Sequence, residues 1–267
     1  MKRLGVVGWP IAHSLSPGMH AAGFAARGMS ARYDALAVPP EHLARQIALC
    51  LEDGYVGLNV TRPHKEAVLA ACREVSPAAA DIGAANTLVR LDGGWRAENT
   101  DGDGFMMTLG APVERALVLG SGGAARAVAH ALAASGTRVL IAARSATSRD
   151  AVCQALGLIA VDWANRHEAL DGVDLVVNAT PIGQNDGASP LESLDGTARG
   201  TLVYDLVYAP PVTPLLEAAR RRGLRVRGGL GMLAAQGALS WRPWFGETGP
   251  VDVFLAYLES RVKEGGV

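Results

Sequence analysis

Cysteine is scarce and scattered. Cys50, Cys72 and Cys153 are odd in number, far apart, and form neither a CxxC pair nor a zinc-ligand spacing. That pattern excludes a disulfide framework and a metal site of the common kinds, and it points to a reducing cytoplasm. Excess charge is also missing: 25 basic against 26 acidic residues leave a formal net charge of -1, without the basic surplus that a nucleic-acid partner demands. The basic run Arg220-Arg221-Arg222 ends a helical pattern, where cations complement the helix dipole. No apolar run approaches the roughly 20 residues that span a bilayer. The start, Met1-Lys2-Arg3-Leu4-Gly5-Val6-Val7-Gly8, has no long apolar core and no small-residue cleavage site, so it reads as a first strand and not as a leader. Internal repeats and low-complexity tracts are absent.

The chain does have 267 residues, 49% of them apolar and 19% charged, enough for one large or two modest domains with buried cores. Short β-like runs alternate with helical patterns almost throughout, which predicts an α/β fold with mostly parallel sheets. Leu4 to Val7 forms the first strand, followed by a helix with Ser16 as N-cap and Pro17 at its first position. Tyr33 to Val38 and Tyr55 to Val60 are further strands, with a helix opened by Pro40-Glu41 between them and another opened by Pro63. Asn86 to Leu91 and Trp95 to Asn99 flank a hairpin turn. A second series begins near Arg115, with strands at Ala116 to Leu119, Arg138 to Ala142, Leu158 to Val161, Leu175 to Asn178, Leu202 to Asp205 and Arg225 to Val226. Gly231 to Arg261 is helical apart from Pro243 to Pro250, and a domain boundary fits residues 102–112.

The second series opens on Ala116-Leu117-Val118-Leu119 running into Gly120-Ser121-Gly122-Gly123-Ala124-Ala125 and a helix. This is G-x-G-x-x-A in a strand–turn–helix setting, the pattern that binds a dinucleotide. Gly120 permits the tight turn, Gly122 lets the backbone approach a pyrophosphate, Ala125 allows close helix packing, and the helix start offers free N–H groups. The next strand ends in Ala142-Ala143-Arg144-Ser145, with no carboxylate before Asp150. An NAD site places a carboxylate there; Arg144 would instead pair with a 2′-phosphate, so the expected cofactor is NADP. The alternative is that Arg144 and Arg149 are both exposed loop residues.

Four polar patches lie at the ends of predicted strands in the first hundred residues: His13-Ser14-Leu15-Ser16-Pro17, Asn59-Val60-Thr61-Arg62-Pro63-His64-Lys65, Ala84-Ala85-Asn86-Thr87 and Asn99-Thr100-Asp101-Gly102. Hydroxyls, amides, one lysine and one aspartate suit a small polyhydroxylated acid. These patches, in this order before the glycine loop, resemble the shikimate dehydrogenases. Three later segments extend the resemblance over nearly the whole chain: Asn178-Ala179-Thr180-Pro181-Ile182-Gly183, Asp205-Leu206-Val207-Tyr208-Ala209-Pro210 with Thr213-Pro214-Leu215-Leu216, and Gly229-Leu230-Gly231-Met232-Leu233-Ala234-Ala235-Gln236.

The resemblance implies two domains, an α/β substrate domain over 1–102 to which 232–267 return, and a Rossmann-like doubly wound NADP-binding domain over 103–231. It implies reversible NADPH-dependent reduction of 3-dehydroshikimate to shikimate, on the route to chorismate and the aromatic amino acids, by a monomer or homodimer. Ser14 and Ser16, helped by Tyr208, would hold the substrate carboxylate. Thr61, Asn86, Asp101 and Gln236 would hold ring hydroxyls. Lys65 and Asp101 would form the catalytic pair. Gly120, Ser121, Gly122, Gly123, Ala124 and Ala125 would bind the pyrophosphate, Arg144 and Ser145 the 2′-phosphate, with Thr180 and Gly229 also at the cofactor. Two departures stand out: Ala143-Arg144-Ser145 where the family commonly has Asn-Arg-Thr, and Ala21 where it often has Asn. Neither His13 nor His64 is expected to be the base. Rival readings are an NAD-preferring quinate/shikimate dehydrogenase, a non-catalytic nucleotide-binding regulator, and a different two-domain NADP enzyme such as a folate dehydrogenase.

Overall fold

The computed structural model describes residues 1–184 and 186–264. In chain order its elements are β1 (Lys2–Gly8), α1 (Ser16–Ala26), β2 (Ala31–Ala37), α2 (Leu43–Glu52), β3 (Tyr55–Val60), β4 (Glu74–Val75), α3 (Pro77–Ile82), β5 (Thr87–Leu91), β6 (Gly94–Glu98) and α4 (Asp101–Leu109). They continue with β7 (Arg115–Leu119), α5 (Gly123–Ala134), β8 (Arg138–Ala143), α6 (Ala146–Leu156), β9 (Ile159–Asp162), β10 (Leu175–Asn178), β11 (Leu202–Asp205), α7 (Pro214–Arg221), β12 (Arg225–Arg227), α8 (Leu230–Leu239), α9 (Trp241–Phe245) and α10 (Val251–Lys263). Two compact units result among the described residues, Met1–Gly104 with 233–264, and Phe105–Met232. The division falls inside α4 and again inside α8, which carry the chain from one unit into the other.

The first unit holds a mixed six-stranded sheet in the order β2-β1-β3-β5-β6-β4. Strands β1, β2 and β3 are parallel, and the β5–β6 hairpin joins antiparallel to β3. β1 lies between two neighbours, which is why its run Leu4-Gly5-Val6-Val7 is buried on both faces. The C-terminal helices pack in this unit: Trp241 stacks on Phe24 with ring centroids 5.1 Å apart, and its Nε1 donates to His20 Nδ1 at 3.0 Å. Burial of that imidazole pushes its pKa down to about 3, so His20 is a neutral core residue. Trp241 is buried, Trp244 and Phe245 are half-buried, and all three rings pack together.

The second unit holds a fully parallel sheet in the order β12-β11-β10-β7-β8-β9. Strand order reverses between β7 and β10, the doubly wound arrangement whose ligand crevice lies beyond the carboxyl ends of those two strands. Alternate residues feed two cores. Ala116, Val118, Ile141 and Val177 pack beneath α5 residues Val128 and Leu132. Leu117, Leu119, Leu140 and Val176 pack against Leu215 and Leu216 of α7 on the other face.

Three local expectations need correction. Pro63 does not open an α-helix: residues 62–66 form turns and only a 3-10 segment, Ala67–Ala71, follows. Helix growth stops because Cys72 is extended and leads into β4, which pairs with β6. Ser16 is not the cap of α1; it is the first helical residue, and the Ser14 hydroxyl accepts its N–H at 3.3 Å. Helix α3 was not anticipated, although Ser76-Pro77 carries its signal: the Ser76 hydroxyl caps Ala79 N–H at 3.3 Å.

Candidate active site

In the first unit Ser14 lies on the turn after β1, Ser16 opens α1, Thr61 and Lys65 follow β3, Asn86 precedes β5, Asp101 opens α4 and Gln236 lies on α8. Thr61 follows β3 directly, and its N–H donates to Val7 O at 2.9 Å, which fixes it beside the end of β1. A Cβ at Gly8 would overlap the Thr61 methyl, so the β1 turn requires glycine to pass. Lys65 sits four residues on, its carbonyl accepting from Ala85 N–H at 2.8 Å. Its ammonium donates to Asp101 Oδ2 at 2.6 Å, with side chains 16% and 3% exposed. The shielding matters because a charge pair out of water interacts far more strongly than one at the surface. Ser14 and Ser16 are half-buried on the β1–α1 connection.

Asn86 organises this cluster. Its Nδ2 lies 2.9 Å from Asp101 Oδ1, 2.9 Å from Thr100 Oγ1 and 3.1 Å from Gln236 Oε1. Its Oδ1 accepts from Thr100 N–H at 2.8 Å. Asp101 therefore receives a hydrogen bond on each oxygen, one from Lys65 and one from Asn86, and its own N–H is held by Asn99 Oδ1 at 3.0 Å. The Gln236 amide finds the partners an apolar helix denied it, Asn86 and Leu233 O. Sequence reasoning gave no role to the layer beneath. Asn59 Nδ2 reaches Asn86 O at 3.0 Å, Thr87 Oγ1 at 3.1 Å and Ser240 Oγ at 2.9 Å, all buried. Asn59 and Thr87 stood in the polar patches read from the sequence, without a role. His64 is buried, donating from Nε2 to Val38 O at 2.7 Å, and His13 is exposed.

In the second unit, Gly120 follows β7 with φ +119°, in the left-handed region, and a Cβ there would press on Ala179 O at 3.1 Å in the turn after β10. Gly122 differs: its φ of −81° suits any residue, and a Cβ on it would meet no protein atom within 4 Å. Nothing in the protein demands glycine at Gly122, so the space it leaves fits a ligand brought against the N-terminus of α5. Gly123, Ala124 and Ala125 form the first turn of that helix, with Ala125 fully buried. The Ser121 hydroxyl donates to Ser148 Oγ at 3.0 Å. These features fit a dinucleotide phosphate.

The end of β8 presents Arg144, exposed and, among the described residues, without hydrogen bond or ion pair. Ser145 is exposed and caps α6, its hydroxyl accepting from Ser148 N–H at 3.2 Å. Arg149 is not an exposed loop residue; it is buried on α6 and paired with Asp150 and Asp162. The Thr180 hydroxyl serves its own turn, donating to Asn178 Oδ1 at 2.7 Å and accepting from Ile182 N–H at 3.2 Å. Gly229 is glycine because a Cβ would overlap Leu206 O. Tyr208 lies half-buried on the turn after β11.

Comparison with known proteins matches the description "Shikimate dehydrogenase substrate binding domain" to residues 6–88, "NADP oxidoreductase coenzyme F420-dependent" to 115–207 and "Shikimate 5'-dehydrogenase C-terminal domain" to 229–258. A shikimate dehydrogenase (NADP(+)) of Symbiobacterium thermophilum is 43% identical over 97% of this chain and 95% of its own length. One from Paracoccus denitrificans is 45% identical over 93% and 92%. The chain belongs to the shikimate dehydrogenase family. As a shikimate dehydrogenase it also matches the crystal structure of shikimate 5-dehydrogenase from Thermus thermophilus in complex with NADP(H) and shikimate, with a TM-score of 0.89, 39% identity, and coverage of 97% of this chain and 99% of that one.

A further buried group in this shikimate dehydrogenase stood in a motif read from the sequence but was given no role there. Asp205, at the end of β11, accepts from Asn178 Nδ2 at 2.9 Å, Val207 N–H at 3.0 Å and Thr213 Oγ1 at 2.6 Å. Desolvation lifts its pKa from 3.8 to about 6, against the lowering effect of these donors. A carboxyl whose folded pKa is raised contributes most stability below the unfolded value and loses it as pH rises through about 6. Asp205→Asn cannot ionise. Its stability relative to wild type should therefore improve between pH 4 and pH 7.5, by up to about 3 kcal/mol. Thermal melts of both proteins across that range check this, and a constant difference would contradict it.

Proposed function

We propose that this chain is an NADP-dependent shikimate dehydrogenase in which Lys65 is the proton donor to the substrate oxygen and Asp101 orients it. Reduction of 3-dehydroshikimate adds a hydride to the ketone carbon and a proton to its oxygen, giving shikimate; oxidation reverses both. Bound NADPH supplies the hydride. As negative charge builds on the oxygen, the Lys65 ammonium stabilises it and passes its proton across, recovering one from solvent. The single observation carrying this reading is the shielded Lys65–Asp101 pair with Asn86 locking the second carboxylate oxygen. Asp101 cannot rotate away, so the ammonium keeps one position and spends no binding energy on alignment.

Thr61, Asn86, Asp101 and Gln236 are assigned the ring hydroxyls, and Ser14, Ser16 and Tyr208 the carboxylate. Because Asn86 and Gln236 hold each other, one hydroxyl can exchange hydrogen bonds with an amide already fixed. In the cofactor site Gly120 to Ala125 are assigned the pyrophosphate, and Arg144 with Ser145 the 2′-phosphate, with Thr180 and Gly229 shaping the turns around it.

The test is a steady-state assay of shikimate and quinate against NADP and NAD, following reduced nicotinamide. Shikimate with NADP should be fastest. Arg144→Ala should raise KM for NADP roughly tenfold to a hundredfold, the loss of a charge-assisted phosphate contact, and leave NAD kinetics unchanged. Equal rates with both cofactors in the wild type, or no turnover of shikimate, would overturn the assignment.

A further inference from the structure

Strand β9 ends on a carboxylate beside the cofactor-selecting position. In the β8–β9 register Asp162 stands opposite Ala143, the residue before Arg144. NAD sites place an acidic group at the end of the second strand, where it repels a 2′-phosphate. Strand β8 lacks one, but its neighbour supplies one, with a side chain 68% exposed. The helix that follows Arg144 answers it. Arg149, with a side chain only 10% exposed, pairs through Nη1 with Asp162, donates from the same nitrogen to Val161 O at 3.2 Å, and reaches Asp150 Oδ1 from Nε at 2.7 Å. Arg149 is thus held by two carboxylates and a carbonyl through Nε and Nη1, and Arg144, exposed and unpaired among the described residues, is left for a phosphate.

We propose that Arg149 is a specificity-determining residue for NADP over NAD, acting by neutralising Asp162 beside the 2′-phosphate position without touching the phosphate. The inference rests on the NADP reading above and deepens it: preference comes from one cation that binds and a second that silences the adjacent carboxylate. A free carboxylate one strand away from the residue before Arg144 disfavours a dianionic phosphate and is indifferent to NAD, which lacks it. The effect is a through-space repulsion, so it weakens as salt is added.

Calorimetric titration of the whole protein with NADP and with NAD, without substrate, tests this directly. Arg149→Gln should weaken NADP binding about threefold to tenfold at low ionic strength and leave NAD binding unchanged, with the loss shrinking in about 0.5 M salt. Arg149→Gln/Asp162→Asn should recover NADP affinity to within about twofold of wild type, because the repelling charge has gone with its partner. A single variant with wild-type NADP affinity makes Arg149 a structural residue and overturns the proposal. A double variant as weak as the single one shows that Arg149 itself contacts the phosphate and overturns it equally. Wild-type protein that binds NADP no tighter than NAD sinks the cofactor reading and the inference with it, whereas a wild-type preference left undiminished by Arg149→Gln sinks the inference alone.

Discussion

Lys65→Met should lower kcat for shikimate oxidation roughly a thousandfold while KM for shikimate and for NADP moves less than about fivefold. Methionine fills a similar volume, so the loss falls on the charge and the proton. The ammonium is asked to act where charge develops in the transition state, and an interaction of that kind sets turnover more than binding. One complication is physical. The Asp101 side chain is 3% exposed, and removing Lys65 strands its charge with Asn86 as remaining partner, which destabilises the fold. Lys65→Met/Asp101→Asn removes the stranded charge and keeps an amide able to accept from Asn86. If the single variant were slow only because it unfolds, its melting curve would fall far below wild type, and the double variant would restore the curve. The proposed role requires the double variant to melt near wild type and remain slow. Turnover within tenfold of wild type in either protein would refute the role of Lys65.

The second large effect belongs to Gly122→Val. The backbone there, at φ −81° and ψ −179°, accepts a β-branched residue, and the added atoms meet no protein neighbour within 4 Å of the Cβ. The protein should fold, with a melting temperature lowered by no more than a few degrees through the poorer N-cap. Cofactor binding should fail nevertheless. Side-chain atoms would fill the approach to the α5 N-terminus and remove one or two charge-assisted N–H contacts, about a hundredfold in KM for NADP and NAD alike. Loss with both cofactors separates this variant from Arg144→Ala, which discriminates between them. A Gly122→Val protein with unaltered KM would mean that the phosphates bind elsewhere.

Much of the architecture was legible because its causes are local. Strands β10 and β11 carry the apolar runs Leu175-Val176-Val177 and Leu202-Val203-Tyr204, closed by Asn178 and Asp205, and their bounds were read from the sequence without error. The glycine turn after β7 was equally plain, since φ +119° at Gly120 is a demand that one residue states by itself. Elements settled by remote pairing were not legible. The segment after Pro63 carries helical signals, yet β4 pairs with β6 across some twenty residues and pulls it straight. Ser14 and Ser16 look alike as caps, and only the turn geometry decides that Ser14 accepts the N–H.

The candidate site divides the same way. The resemblance of the chain's motif order to the family's named Lys65, Asp101, Asn86 and Gln236, because chemistry-bearing side chains are visible one at a time. What each touches was invisible. Asn86 meets Gln236 across 150 positions, and Asn59 meets Ser240 across 181. The sequence offered Arg144 to a 2′-phosphate, with Arg144 and Arg149 both exposed as the alternative, and burial makes one free and the other bound. Sequence alone determined the alternation of strand and helix, the glycine turn and the inventory of reactive groups, since these follow from backbone geometry and residue chemistry over a few positions. Tertiary structure decided which of those groups are paired, desolvated or free, because hydrogen bonding and dielectric depend on neighbours that the chain brings together only by folding.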